Sequence, residues 1–288
     1  MLIGAHVPTG GRGLIGVIQN AHRVGAAAVQ AWGSNPRAWA LPRTDPSRDA
    51  EFVEAWRESG LRALCLHSPY MVNIASPDEG FRRRSVDLAR ATVALAERIG
   101  ADGVVVHAGA GGVATPADVR VERAATSLAA IVAEAHRSRL LIELMAGTAG
   151  AVASTLGEAR ALFDACIAEA GRSRGERFGL CLDTCHLFAA GYGLDTGDGV
   201  RETFAELRRM RLASRLRLVH ANDSRYPRGA RRDAHTNIGR GHIGEPGFAA
   251  ILAQPSVRRA AVVCETPGTP TERAADVAAL RRLAGFAD

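Results

Sequence analysis

Asp183 and His186 stand three residues apart in Cys181-Leu-Asp-Thr-Cys-His-Leu-Phe-Ala-Ala-Gly-Tyr192, just where the apolar run Phe178 to Leu182 stops. A carboxylate and an imidazole at a strand end make a metal-ligand pair, although the Asp alone also suits a helix cap. A second pair, Asp233-Ala-His235, places two side chains on the same side of an extended segment, where they can grip one ion. The ends of other short apolar runs carry the same residue types: His6, His67, His107, Glu143, His220 and Glu265, with Trp32 the one exception. Together with the loop pairs this offers five His (His67, His107, His186, His220, His235) and four carboxylates (Glu143, Asp183, Asp233, Glu265). Open zinc sites use about three protein ligands each, so this set fits two or three ions with one carboxylate free to bridge. Imidazole with carboxylate favours Zn or Mn over Mg or Ca. Divalent ions clustered at about 4 Å clamp a phosphoryl group during in-line hydrolysis. Four carboxylates offset only part of six metal charges, and the remaining positive potential suits a phosphodiester.

These residues converge only if the elements between them bring the run ends together. Candidate strands are Leu2 to Ala5, Ala28 to Trp32, Ala63 to Leu66, Gly103 to Val106, Leu140 to Ile142, Phe178 to Leu182, Leu216 to Val219 and Ala260 to Cys264. Between them lie helical stretches, among them Asp49 to Ser59, Gly80 to Ile99, Pro116 to Arg137, Thr155 to Ala170, Val200 to Leu212 and Thr271 to Leu283. Pro116, Thr155 and Thr271 suit helix starts. Eight strands, each followed by a helix or a helix-length connection, predict an α/β fold: a closed parallel (β/α)8 TIM barrel. Its C-terminal mouth then gathers the strand-end residues into one active site. With no linker, low-complexity tail or longer repeat, the expectation is one domain over residues 1–288.

Composition bounds the rest. Apolar residues make up 47% of 288, enough for a sizeable core, and no apolar run approaches the roughly 18 residues of a membrane span. The N-terminus lacks a signal-peptide pattern, so a cytoplasmic protein without a membrane partner is expected. Five cysteines at irregular spacing, mostly inside apolar runs, read as buried free thiols; packing is favoured over metal ligation for Cys181 and Cys185. The formal net charge of +6 points to a polyanionic partner, but all 36 basic residues are Arg, which reflects coding bias as well. The absence of Lys excludes a lysine Schiff base. Arg225, Arg228, Arg231, Arg232 and Arg240 surround the Asp233/His235 pair and could touch phosphates or form a solvated loop. Gly109-Ala-Gly-Gly112 could offer backbone N–H groups to a phosphate or be a flexible turn, and Arg82-Arg-Arg84 reads as a solvated helix face.

Several stretches resemble the endonuclease IV family of apurinic/apyrimidinic endonucleases: Gly4-Ala-His-Val7, Asn35-Pro-Arg-Ala-Trp39, His67-Ser-Pro-Tyr-Met-Val-Asn-Ile74, the Cys181 to Tyr192 block, His220-Ala-Asn-Asp223, Asp233-Ala-His-Thr-Asn-Ile-Gly-Arg-Gly-His-Ile-Gly244 and Glu265-Thr-Pro267. They span the chain in order, and the Asp-Thr-Cys-His and Asp-x-His-x-x-x-Gly-x-Gly-x-Ile-Gly blocks are highly specific. The resemblance implies a trinuclear zinc TIM barrel, monomeric, that cuts duplex DNA 5′ to abasic sites and leaves a 3′-hydroxyl, with Mn possible at some positions. It places the first zinc on His67, His107 and Glu143, and the second on Glu143, Asp183, His220 and Glu265. The third falls to His186, Asp233 and His235. Glu143, Asp183 and Glu265 become the catalytic carboxylates. Arg37, Tyr70 and Met71 take the positions that insert at the lesion, His6 is a pocket residue rather than a ligand, and Arg232 is a further DNA contact.

The sequence departs from the family pattern in places. Leu144-Met-Ala-Gly-Thr-Ala-Gly150 replaces a loop that usually opens with Asn, Ala108 stands where Pro is usual, and Met71 where Leu is common. None removes a ligand; the first bears on the support of Glu143 and on DNA contacts. Two other functions compete, a metal-dependent sugar isomerase or epimerase and a non-catalytic lesion binder. The third trio argues against the first, and the complete ligand set against the second.

Overall fold

Short apolar runs buried along nearly their whole length set the architecture of the computed structural model, which describes residues 1–286. Eight strands close a parallel barrel: β1 (Leu2–His6), β2 (Ala28–Trp32), β3 (Ala63–His67), β4 (Gly103–His107), β5 (Arg139–Glu143), β6 (Phe178–Asp183), β7 (Leu216–His220) and β10 (Ala261–Cys264). Two short strands, β8 (Asp223–Ser224) and β9 (His235–Thr236), form an antiparallel hairpin over the barrel mouth. The closed parallel barrel is the fold class expected, and each predicted strand is present within a residue or so of its predicted bounds.

The pleat carries the argument from fold to site. Ala28, Cys65, Val105, Leu141, Cys181, Leu218 and Val263 point inward and pack as one buried cluster. Side chains repeat on one face every second residue. Two positions further along each strand, the inward residues are therefore Gln30, His67, His107, Glu143, Asp183, His220 and Glu265. The barrel thus lifts one ring of polar side chains above one ring of apolar ones. A register irregularity between Leu180 and Cys181 sets Cys181 opposite Leu218 and Asp183 opposite His220, keeping β6 in phase with its neighbour.

Outside the barrel, helices bury Phe52, Phe163, Phe204 and Phe248 against the strands. Their ends follow local capping chemistry. Thr155 forms a capping box with Glu158, as its position before an apolar run suggests. At the last helix the box belongs to Thr269 and Glu272 with Pro270 at N1, so Thr271 lies inside the helix and does not start it. The fourth long helix runs Ala117–Val132, with Pro116 as its cap, and stops five residues short of Arg137. Asp45 caps a helix that begins at Pro46, three residues before the predicted start. Helices at Leu14–Arg23, Thr184–Ala190 and Gly244–Leu252 complete the barrel connections.

All five cysteines are buried and free. Burial pushes the thiol of Cys185 up to about 12 and that of Cys181 higher, so both pack as neutral side chains. Among the described residues no helix is long and apolar enough to cross a membrane.

Candidate metal centre

The nine predicted ligands meet at the C-terminal mouth in three donor sets with one shared member, and two further groupings draw in Cys181 and Cys185 beside them. Glu143, inward on β5 and 1% exposed, is that member. Its Oε2 lies 3.1 Å from His67 Nε2 and 3.2 Å from His107 Nε2. Its Oε1 lies 3.1 Å from His220 Nδ1. His220 Nδ1 also faces Glu265 Oε2 at 3.3 Å and Asp183 Oδ2 at 3.8 Å. In the third set, Asp233 Oδ2 is 3.2 Å from His186 Nε2 and Asp233 Oδ1 is 3.1 Å from His235 Nε2. His235 Nε2 stands 3.6 Å from Asp183 Oδ2, which joins the third set to the second.

The spacing suits a tetrahedral ion. Ligand bonds of about 2.0–2.1 Å put donors about 3.3–3.4 Å apart, and the distances above cluster round that value. One atom agrees as well: His235 Nε2 is buried and has no hydrogen-bond partner despite its proximity to Asp233 and Asp183. A buried ring nitrogen left unpartnered beside two carboxylates is the kind of orphan that an ion shared with them would satisfy. The donor set and its geometry therefore fit divalent metal.

Remote hydrogen bonds fix which nitrogen each ring presents. The Nδ1–H of His67 donates to the carbonyl of Ser68 at 2.7 Å, and that of His186 to the carbonyl of Leu144 at 2.8 Å, leaving Nε2 of each for the centre. His220 is held the other way round. Gln30 donates from Nε2 to Glu265 Oε1 at 2.6 Å, so its Oε1 must accept from His220 Nε2–H at 2.8 Å, and Nδ1 is left bare. Reversing the Gln30 amide would set its oxygen against a carboxylate. Asn222 does a similar job, donating to Asp183 Oδ2 and accepting from the Glu265 N–H, both at 2.7 Å.

Asp183 satisfies both readings of its position. One oxygen accepts from the His186 N–H at 2.9 Å and caps the Thr184–Ala190 helix, while the other faces the cluster. One turn of helix then delivers His186. The departure at Leu144 leaves this support intact, because the contact to His186 is made by the backbone carbonyl.

Three of the histidines are drawn toward their charged form by the carboxylates around them. Burial alone would keep His235 neutral, but the Asp183, Asp233 and Glu265 carboxylates outweigh it and raise its pKa to about 9. His186 and His220 are raised well above the ordinary value, burial again being outweighed by neighbouring anions. Glu143 is lowered, its burial overcome by His220 and His107. At pH 7 an entering ion must displace protons from His186, His220 and His235. Metal affinity is expected to rise about tenfold per pH unit for each displaced proton up to the raised pKa of the histidine concerned, about 9 for His235, and to level off above it. A chelator-competition titration across that range checks this, and a flat profile would contradict it. For the metal-free fold the sign is opposite: stability from these raised histidines is full below about pH 6.5 and is lost as pH rises through their raised pKa values, about 9 for His235.

Around the cluster, Trp32 forms an aromatic bridge, with ring centroids 4.8 Å from His6, 4.8 Å from His67 and 4.6 Å from Tyr70. Tyr70 is 63% exposed on this platform, and Met71 is half-buried beside it. His6 contacts Gln30 and Glu265 but stands outside the three donor sets. Arg37 is exposed on the loop after β2, which Trp39 pins to the Glu79–Ile99 helix by meeting Phe81 edge-to-face at 5.0 Å and lying under Arg84 at 4.5 Å. Arg84 thus has a packing role that a solvated helix face does not describe. Arg225, Arg228, Arg231, Arg232 and Arg240 are exposed, with Arg232 stacked 4.1 Å over Tyr226. The Gly109 to Gly112 run is no phosphate cradle: the N–H groups of Ala110 and Gly111 are taken by Asn73 Oδ1 and the Gly150 carbonyl. Sequence reasoning passed over Gln30, an amide in mid-strand; counting two residues on from inward Ala28 would have found it.

A family model described as a xylose isomerase-like TIM barrel matches residues 18–283. The chain is 37% identical over 285 residues to a protein named probable endonuclease 4 from Streptomyces coelicolor, covering 98% of this chain and 94% of that protein. It is 35% identical over 294 residues to another of that name from Methanoculleus marisnigri, covering 99% of each. Among solved structures, endonuclease IV from Thermus thermophilus superposes with a TM-score of 0.84 at 28% identity, covering 98% of both chains.

Proposed function

The chain belongs to the endonuclease IV family, and from that premise we propose that it hydrolyses the phosphodiester 5′ to abasic sites in duplex DNA, leaving a 3′-hydroxyl and a 5′-deoxyribose phosphate. The observation that carries the reading is the meeting of three donor sets at one mouth, with Glu143 turning one oxygen to each of two sets. Zinc is the ion proposed at all three, with Mn as the substitute the same donors accept. Bound there, such ions supply Lewis acidity toward phosphoryl oxygens and acidify water.

The residues of the chain set the stage for that chemistry. His67, His107 and Glu143 would hold the first ion; Glu143, Asp183, His220 and Glu265 the second; His186, Asp233 and His235 the third. Glu143, Asp183 and Glu265 are the catalytic carboxylates in this scheme, since they fix the spacing between ions. Access is graded: Glu143, Asp183 and His220 are sealed at the floor, while His107 at 25% and Asp233 at 50% side-chain exposure face the entrance. Tyr70 on its Trp32 support, with Met71, offers an apolar surface to replace the stacking lost where a base is missing. Absence of the base also makes extrusion of the sugar cheaper. Arg37 and Arg232 would meet backbone phosphates. The whole of residues 1–288 would act as one catalytic domain, as a monomer in the cytoplasm. The third donor set favours this reading over a two-metal sugar epimerase.

A labelled duplex with one tetrahydrofuran abasic analogue tests it. That analogue cannot undergo β-elimination, so a nick on its 5′ side bearing a 3′-hydroxyl is the expected result and requires hydrolysis. Tight binding without a cut by the zinc-loaded protein would point to a lesion binder, and neither binding nor cutting would overturn the reading.

A further inference from the structure

At the opposite end of the barrel the interior is under-filled. Ala63 and Ala261 pack on the inner cluster near the strand starts, where barrels ordinarily stack bulky branched side chains. A cavity of about 550 Å3 opens there, with Leu2, Cys65 and Leu141 on its wall. Strands of five residues at about 3.3 Å each place it on the order of 15 Å below the metal centre.

Six arginines line this cavity: Arg62, Arg137, Arg139, Arg217, Arg258 and Arg259. They come from the segments leading into or opening β3, β5, β7 and β10, so they ring the cavity from four directions. Among the described residues none of the six makes an ion pair, whereas Arg90, Arg98, Arg160 and Arg282 elsewhere do. The two carboxylates on the wall are engaged within the fold. Glu97 accepts from the N–H groups of His136, Arg137 and Ser138 and from the Ser138 hydroxyl, and Asp102 from the Leu64 N–H. Arg139 donates to the Glu176 carbonyl and Arg217 to those of Ser214 and Leu216, which orients both guanidinium groups without neutralising them. Burial, with Arg139 and Arg215 close by, depresses the Arg217 pKa below its ordinary value.

Guanidinium forks are matched to phosphate oxygens, and several forks around one concave, partly apolar site concentrate positive potential on a small anion. The volume lies in the range of small-ligand sites. We infer that this cavity is a second, non-catalytic site that binds a compact diphosphate anion, free or carried on a nucleoside. It is independent of the metal centre and of the activity proposed for it.

Calorimetric titration of the zinc-loaded protein with inorganic pyrophosphate and with ADP tests the inference. Saturable binding is expected that weakens at least tenfold in Arg139→Gln/Arg217→Gln and falls steeply with salt, while nicking of the tetrahydrofuran duplex stays unchanged. Arg259→Glu, an exposed charge reversal that leaves the core alone, should weaken binding at least threefold and guards against a folding defect in the double variant. ADP binding tenfold tighter than pyrophosphate would assign the apolar wall to a nucleoside; equal affinity would assign the site to the inorganic anion. Binding that is indifferent to both variants places the anion at the metals and overturns the inference, as does no saturable binding.

Discussion

Replacing Glu143 by Gln is expected to lower incision by on the order of 10³-fold and to remove the first of the three proposed ions while weakening the second. The substitution conserves volume, so the loss is one of charge and of an acceptor. Both oxygens of Glu143 are in use, Oε2 toward His67 and His107 and Oε1 toward His220. An amide presents one weak oxygen ligand and one NH2, which no cation accepts as a donor atom. The first set would keep two imidazoles, too few to hold its ion, whereas the second would keep Asp183, His220 and Glu265 and bind more weakly. The third set, His186, Asp233 and His235, does not need Glu143 and should keep its ion. Metal analysis of the purified variant beside the nicking assay separates this from misfolding, because a folded variant short of one ion is the specific expectation. Three ions and a normal rate in Glu143→Gln would remove Glu143 from the centre of the mechanism.

The legibility of the site follows from the pleat. A period of two, run from inward Cys65, Val105, Leu141, Cys181, Leu218 and Val263, lands on His67, His107, Glu143, Asp183, His220 and Glu265 without knowledge of any contact. Residue type marked those positions, since buried His, Asp and Glu at strand ends have few structural uses. Gln30 obeys the same period but carries no ligand chemistry, so type gave no signal although it fixes the tautomer of His220. Asn222 lay inside a noted block, yet its link between Asp183 and Glu265 joins residues from different strands and exists only once the barrel closes. Capping at Thr269 was missed by two residues, although Pro270 at N1 and Glu272 at N3 spell a capping box that starts at Thr269. The arginine ring at the barrel floor is illegible in sequence for a related reason: its members are scattered among 36 arginines, and only topology gathers them.

The block Asn237-Ile-Gly-Arg-Gly-His-Ile-Gly244 reads like a phosphate-binding loop, but its backbone serves an internal anion. Asp223, fully buried, accepts from the N–H groups of Ser224, Gly239, Gly241, Ile243 and Gly244. A Cβ on Gly241 would stand 2.4 Å from the Asp223 carboxylate, so only Gly lets the chain wrap so closely. This wrapping holds the β8–β9 hairpin, in which Asp223 pairs with Thr236 and Ser224 with His235, and so presents His235 and its neighbour Asp233 to His186. Asp223→Ala is therefore expected to destabilise the protein by roughly 3–5 kcal/mol, since it leaves buried N–H groups unpaired at about 1–3 kcal/mol each, less what water entering the space recovers. For a chain of this size that is a fall in Tm of roughly 5–8 °C. The folded fraction should lose the third ion and keep the other two, because no residue of the first two sets lies on the hairpin. Asp223→Asn should fall between wild type and Asp223→Ala, as its single carbonyl oxygen can serve part of the ring of donors while its NH2 opposes the rest. Thermal unfolding and metal content measured on the same samples check both consequences. An unchanged Tm with three ions retained would show that the Gly-rich block holds the third set without its central carboxylate.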